Sequence, residues 1–91
     1  MDAHCIHAIV SGKVQGVFYR ESTRQMAQSL SITGWVKNNS NGTVELIACG
    51  SKEHIEKLIS WLHEGPPAAR VTEVVIHDMP AENHTQFKVL R

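Results

Sequence analysis

The chain has 91 residues, 42% apolar and 20% charged, which suits one globular domain over residues 1–91 and is too little for two. Nine Lys and Arg balance nine Asp and Glu, so the formal net charge is zero. That balance excludes a strongly basic nucleic-acid binder or a polybasic membrane module, and no apolar run approaches the ~20 residues of a membrane span.

Residues 4–11 (HCIHAIVS) alternate and are rich in apolar and β-branched side chains, the pattern of a strand. Ile6, Ala8 and Val10 are expected on one side of it, and Cys5, His7 and Ile9 on the other. Gly12 and Gly16 mark a loop. Over residues 19–30, Tyr19, Thr23, Met26, Ala27 and Leu30 share one face of a helix. Residues 32–38 read as a second strand. Asn39-Ser40-Asn41-Gly42 reads as a hairpin loop, because Asn and Gly tolerate positive φ. Residues 43–49 read as a third strand with Val44, Leu46 and Ala48 inward. Ser51 is placed to cap a second helix over 52–64, striped by Ile55, Leu58, Ile59 and Leu62. Gly65 and Pro66-Pro67 stop it. Residues 70–78 read as a fourth strand and 85–90 as a short fifth.

The order βαββαβ, with a strand added at the end, is the split βαβ pattern. It predicts an α+β, ferredoxin-like sandwich: a mainly antiparallel sheet of four to five strands with two helices on one face. Strands one and two are expected to be parallel through a right-handed crossover, with strand three between them and antiparallel to both. Their C-terminal ends then share one edge, so the Gly12–Tyr19 loop neighbours Lys37 and Asn38. Function is expected there.

Charge points to the same place. Lys13, Arg20, Arg24 and Lys37 gather between positions 13 and 37, with Glu21 the one acid among them. In Gly12-Lys13-Val14-Gln15-Gly16-Val17-Phe18-Tyr19-Arg20, glycines let the backbone curl before a helix begins. Inward N–H groups and the helix N-terminus make an anion site, to which Arg20 adds a forked cation suited to phosphate. From spacing alone, an ordinary strand-to-helix loop with a surface arginine fits equally well. The Walker pattern GxxxxGK[ST] is missing.

The run Val10 to Arg20 (VSGKVQGVFYR) closely resembles the first signature of the acylphosphatase family, broadly GxVQGVx[FY]R. Gly34-Trp35-Val36-Lys37-Asn38, followed by Gly42-Thr43-Val44-Glu45, resembles the second, GWVxNxxxGxVE. The stretch Gly65 to Val71 and the ending Phe87-Lys88-Val89 also look like the family, so the resemblance spans essentially the whole chain. Tyr19 stands where Phe is commoner, a difference of little weight for the chemistry. The resemblance implies hydrolysis of a small-molecule acyl phosphate to a carboxylate and inorganic phosphate, with phosphate as product and inhibitor. Carried onto this sequence, Arg20 binds the phosphoryl group together with the backbone amides of Gln15, Gly16, Val17, Phe18, Tyr19 and Arg20, and Asn38 holds the attacking water. No cofactor and no metal are implied, and a monomer is the default at this size.

Other residues attract attention without entering this chemistry. The six histidines show no pair with ligand spacing, and solvated side chains are the better reading. A register that sets Ala8 opposite Leu46 also sets Cys5 opposite Cys49, on the face away from the helices. Two states stay open for that pair: a disulfide, worth roughly 4 kcal/mol for the loop it closes, or two reduced small hydrophobes. The N-terminus carries no visible signal peptide, so the cytoplasm is the expected compartment, which favours the reduced state. Trp35 and Trp61 read as packing residues. A non-catalytic ferredoxin-like binding module is the competing reading. An RNA-binding version needs exposed strand aromatics and a basic surface, and strands one and three carry no aromatics. A phosphate-metabolite sensor without turnover fits less well with Arg20 and Asn38 both in place.

Overall fold

β1 (His4–Lys13) buries Ile6, Ala8 and Val10 on one side, as its alternation predicts. The structure, a computed structural model, describes residues 3–90. Residues 1, 2 and 91 of the expected domain lie outside that range. After β1 come α1 (Tyr19–Ser29), β2 (Thr33–Asn38), β3 (Val44–Gly50), α2 (Lys52–Glu64), β4 (Arg70–Met79) and β5 (Phe87–Val89). The sheet order is β4-β1-β3-β2-β5. β3 lies between β1 and β2, antiparallel to both, so those two run the same way. The expected α+β sandwich is present.

The register is the expected one. Ala8 faces Leu46 and Cys5 faces Cys49. Of the two states left open for the cysteines, the structure has the disulfide, with Cα atoms 4.1 Å apart. The Glu82 N–H donates to Cys5 Sγ at 3.4 Å, so the segment leaving β4 covers the bond.

Two strands differ from the sequence pattern by more than one residue at an end. β1 runs on to Lys13, past the expected stop at Ser11, because a bulge at Ser11/Gly12 lets it keep pairing with β4 as far as Arg70. Gly12 has φ 120°, and a Cβ there would stand 2.1 Å from the Arg70 carbonyl oxygen, so the close approach requires glycine. β5 is only three residues long, shorter than the expected 85–90, and pairs parallel to β2. Its ends are held by Gly34 N–H to Gln86 O (3.0 Å) and Leu90 N–H to Val36 O (2.8 Å).

Both helices cover the face built from Ile6, Ala8, Val10, Val36, Val44 and Leu46. α1 buries Tyr19, Thr23 and Ala27, and α2 buries Ile55, Leu58 and Leu62. Each fully buried Val, Leu or Ile contributes ~1.5–3 kcal/mol, which holds helices to sheet. Ser51 Oγ caps α2 by accepting from His54 N–H at 3.2 Å. At the other end of α2, the Tyr19 hydroxyl donates to the Leu62 carbonyl at 2.6 Å. Leu62 is in the last turn, where carbonyls have no helical donor, so this buried bond satisfies an otherwise orphaned group. The Tyr19 and Trp61 rings meet at 5.5 Å, which joins the start of α1 to the end of α2. Among the described residues no helix is long and apolar enough to cross a membrane.

Candidate active site

β1 and β2 end on the same edge of the sheet, and the segment from β1 into α1 passes beside the end of β2. Three side chains anchor that segment. Val14, Val17 and Tyr19 are buried in the core, so the residues between them turn outward. Gly16 (φ 75°) and Phe18 (φ 64°) have left-handed backbone, while Val17 between them does not. Alternating hands of this kind turn successive N–H groups toward one side.

Phe18 is the N-cap of α1 and offers no side-chain acceptor. The first helical bond runs from Ser22 N–H to Phe18 O. The N–H groups of Tyr19, Arg20 and Glu21 therefore have no helical acceptor. These three residues line a cavity of about 320 Å³, bordered also by Val14, Gly16, Phe18, Asn38 and Val89. An uncapped helix N-terminus beside a cavity presents N–H donors and the positive end of the helix dipole, an arrangement suited to an anion.

Two side chains complete it. Arg20, in the first turn of α1, borders the cavity, and its Nη1 donates to the Leu90 carbonyl at 3.0 Å. That single bond orients the guanidinium and leaves most of its donors for a ligand. Asn38, the last residue of β2, borders the same cavity. Its Oδ1 is buried and, among the described residues, is the buried side-chain oxygen without a partner. Left without a donor, such an acceptor costs ~1–3 kcal/mol.

The two halves of the site are tied together by Gln15. Its Nε2 donates to the carbonyls of Asn39 (2.8 Å) and Thr43 (2.9 Å), at the base of the β2–β3 hairpin. The hairpin is itself stiff. Asn39 N–H donates to Thr43 O at 2.9 Å, and the Thr43 hydroxyl donates to Asn41 Oδ1 at 2.7 Å.

Of the residues singled out in the sequence, Gly16, Phe18, Tyr19, Arg20 and Asn38 come together at one cavity. Gln15 and Val17 do not border it: Gln15 braces the hairpin, and Val17 fills the core. Glu21 does border it and was not foreseen. Both its carboxylate oxygens accept from Arg24, and the Arg24 guanidinium holds the Glu21 carboxyl below the usual carboxylate range. The pair is locally neutral, so Arg20 and the amides set the field in the cavity. Glu at i and Arg at i+3 on a helix was the available signal. The Leu90 carbonyl on Arg20 had no signal, since its partner lies 70 residues away.

The remaining candidates lie elsewhere. Lys37 is 3.9 Å from the Glu45 carboxylate and stands over the Trp35 ring at 5.5 Å. His7 Nε2 donates to Glu45 Oε2 at 2.6 Å. His4 and His84 likewise meet Asp78 and Glu82, at 3.2 and 2.9 Å. The disulfide is five residues of β3 from the Val44 that faces Asn38, or about 17 Å of extended strand.

Residues 6–89 match the family model described as acylphosphatase. A protein named acylphosphatase from Coxiella burnetii (strain Dugway 5J108-111) is 55% identical over 85 residues, covering 93% of this chain and 90% of that one. The solved structure of an acylphosphatase from Coxiella burnetii superposes with a TM-score of 0.95 at 52% identity, over 98% of this chain and 94% of the other. The crystal structure of acylphosphatase from Bacillus subtilis is similar at TM-score 0.94 with 29% identity, over 97% and 99% of the two chains.

Proposed function

The chain belongs to the acylphosphatase family, whose members hydrolyse acyl phosphates, and from that premise we propose which of its groups carry out the reaction. Arg20 and the loop and helix amides hold the phosphoryl group, and Asn38 holds the attacking water. The observation that carries this reading is the shared cavity. Arg20, the uncapped start of α1 and Asn38, whose Oδ1 has no partner among the described residues, all border it.

The chemistry needs little more. Water attacks phosphorus as the bond to the acyl oxygen breaks, and the carboxylate leaves with the electron pair. Its conjugate acid has a pKa of about 4, so it departs as an anion at neutral pH without a proton. No general acid is needed. The attacking water loses one proton to a phosphoryl oxygen, and an acyl phosphate dianion plus water becomes a carboxylate and dihydrogen phosphate. Charge spreads over the phosphoryl oxygens in the transition state. Preorganised N–H donors and the Arg20 fork meet it there, each donor typically worth ~3–4 kcal/mol. Asn38 contributes orientation, an entropic saving.

The same reading makes inorganic phosphate an inhibitor, because the product keeps the group that the cavity grips. It also takes the protein as a cytoplasmic monomer, in keeping with its size and neutral charge; cell fractionation and sedimentation test those two points.

Benzoyl phosphate hydrolysis in the presence of EDTA, measured on Arg20→Ala and Arg20→Lys, tests the core of the proposal. Both variants are expected to lose at least about 100-fold in kcat/KM and to bind phosphate poorly, since lysine lacks the fork. Near-normal turnover by Arg20→Lys would remove Arg20 from this role.

A further inference from the structure

Phe18 is the most exposed large apolar side chain among the described residues, at 81% against 38% for Val75 and 36% for Leu90. Its neighbours leave it no choice of direction. Val17 and Tyr19 are both drawn into the core, so the residue between them is presented to solvent. Its backbone is left-handed, a conformation that bulky residues avoid and glycine adopts freely. A glycine or asparagine would satisfy this turn with less strain and no apolar surface in water. Phe18 nevertheless lines the cavity that Arg20 and Asn38 share.

If phosphate sits on Arg20 and the α1 amides, in-line displacement sends the leaving group away from the water on Asn38. The acyl group then meets the bordering apolar side chains. Phe18 is the exposed one, while Val89 is half-buried and Val14 buried. We propose that the Phe18 ring is the acyl-recognition surface of this site, packing against the carbon side of the substrate and favouring aromatic and long aliphatic acyl phosphates over acetyl phosphate. This rests on the assignment of Arg20 to the phosphoryl group.

The test is the ratio of kcat/KM for benzoyl phosphate to that for acetyl phosphate, in the wild type and in Phe18→Ala, Phe18→Leu and Phe18→Trp. All keep the backbone amide, and circular dichroism verifies the fold of each. Ring packing of this kind is worth about 3- to 10-fold, so the ratio is expected to fall by that factor in Phe18→Ala. It should fall less in Phe18→Leu and be kept in Phe18→Trp. The inhibition constant of inorganic phosphate is the internal control, because phosphate has no acyl group. An unchanged ratio in Phe18→Ala overturns the proposal. So does an equal loss for both substrates and for phosphate, which would mean that the ring only shapes the loop. Failure of the phosphoryl assignment shows separately, as undiminished phosphate inhibition in Arg20→Lys.

Discussion

The Gln15 side-chain amide donates to the Asn39 carbonyl at 2.8 Å, linking the loop that would hold phosphate to the strand end that carries Asn38. A second bond from the same nitrogen to Thr43 O, at 2.9 Å, fixes its direction. Water and phosphorus must meet in line, so the distance between the two halves of the site is a catalytic quantity. Gln15 sets it without bordering the cavity.

Gln15→Ala is therefore expected to lower kcat by up to about 100-fold, the typical cost of a ~1 Å misplacement. Gln15→Glu should do at least as badly, because a carboxylate would face two carbonyl oxygens. Steady-state kinetics with benzoyl phosphate check this. A kcat within about 2-fold of the wild type in both variants would show that the loop and hairpin hold their spacing without Gln15.

Tyr19 carries a second prediction, on stability. Its hydroxyl is buried on the Leu62 carbonyl, and burial pushes the phenol well above its ordinary range, so it stays a neutral donor throughout. Tyr19→Phe keeps the ring against Trp61 but strands the carbonyl. The expected cost is about 1–2 kcal/mol, read as a lower urea midpoint with the same slope. An unchanged midpoint would mean that the carbonyl finds another donor.

Much of this was legible in the sequence. The alternation of residues 4–11 and 43–49 defined the inward faces, and one anchor pair, Ala8 and Leu46, was enough to bring Cys5 to Cys49. Helix ends were marked by Ser51 and Gly65. Strand direction placed the Gly12–Tyr19 loop beside Lys37 and Asn38, and the resemblance to the family singled out Arg20 and Asn38 there. What stayed hidden depends on partners far along the chain or on local backbone hand. Gln15 meets acceptors 24 and 28 residues away. A strand as short as Phe87–Val89 has no period to read, so its place beside β2 and the Leu90 carbonyl on Arg20 were invisible. Phe18 looked like one more apolar residue, because its exposure follows from a left-handed turn that its side chain does not announce. The bulge at Gly12 hid the last part of β1 for a similar reason.

Glu45 provides a pH prediction. The hydrogen bond from His7 holds its carboxyl below the usual carboxylate range, with attraction from His7 and Lys37 adding to it. A carboxyl lowered in the folded state contributes stability that is present above its unfolded pKa, about 4.3. That contribution is lost as pH falls through the lower folded value. For a surface pair it is about 1 kcal/mol or less. The stability gap between the wild type and Glu45→Gln should therefore close as pH falls below about 4. A gap that stays fully open well below about pH 4 would contradict this pairing.

The division of labour between Arg20 and Asn38 is the centre of the account, and the Asn38→Ala variant tests it most directly. Its turnover of benzoyl phosphate is to be compared with its inhibition constant for inorganic phosphate. The expected result is a kcat at least about 100-fold lower with phosphate inhibition changed less than about 3-fold, since the water is lost and the phosphate grip remains. Equal losses in turnover and in phosphate binding would contradict the account, and would make Asn38 part of the phosphate grip.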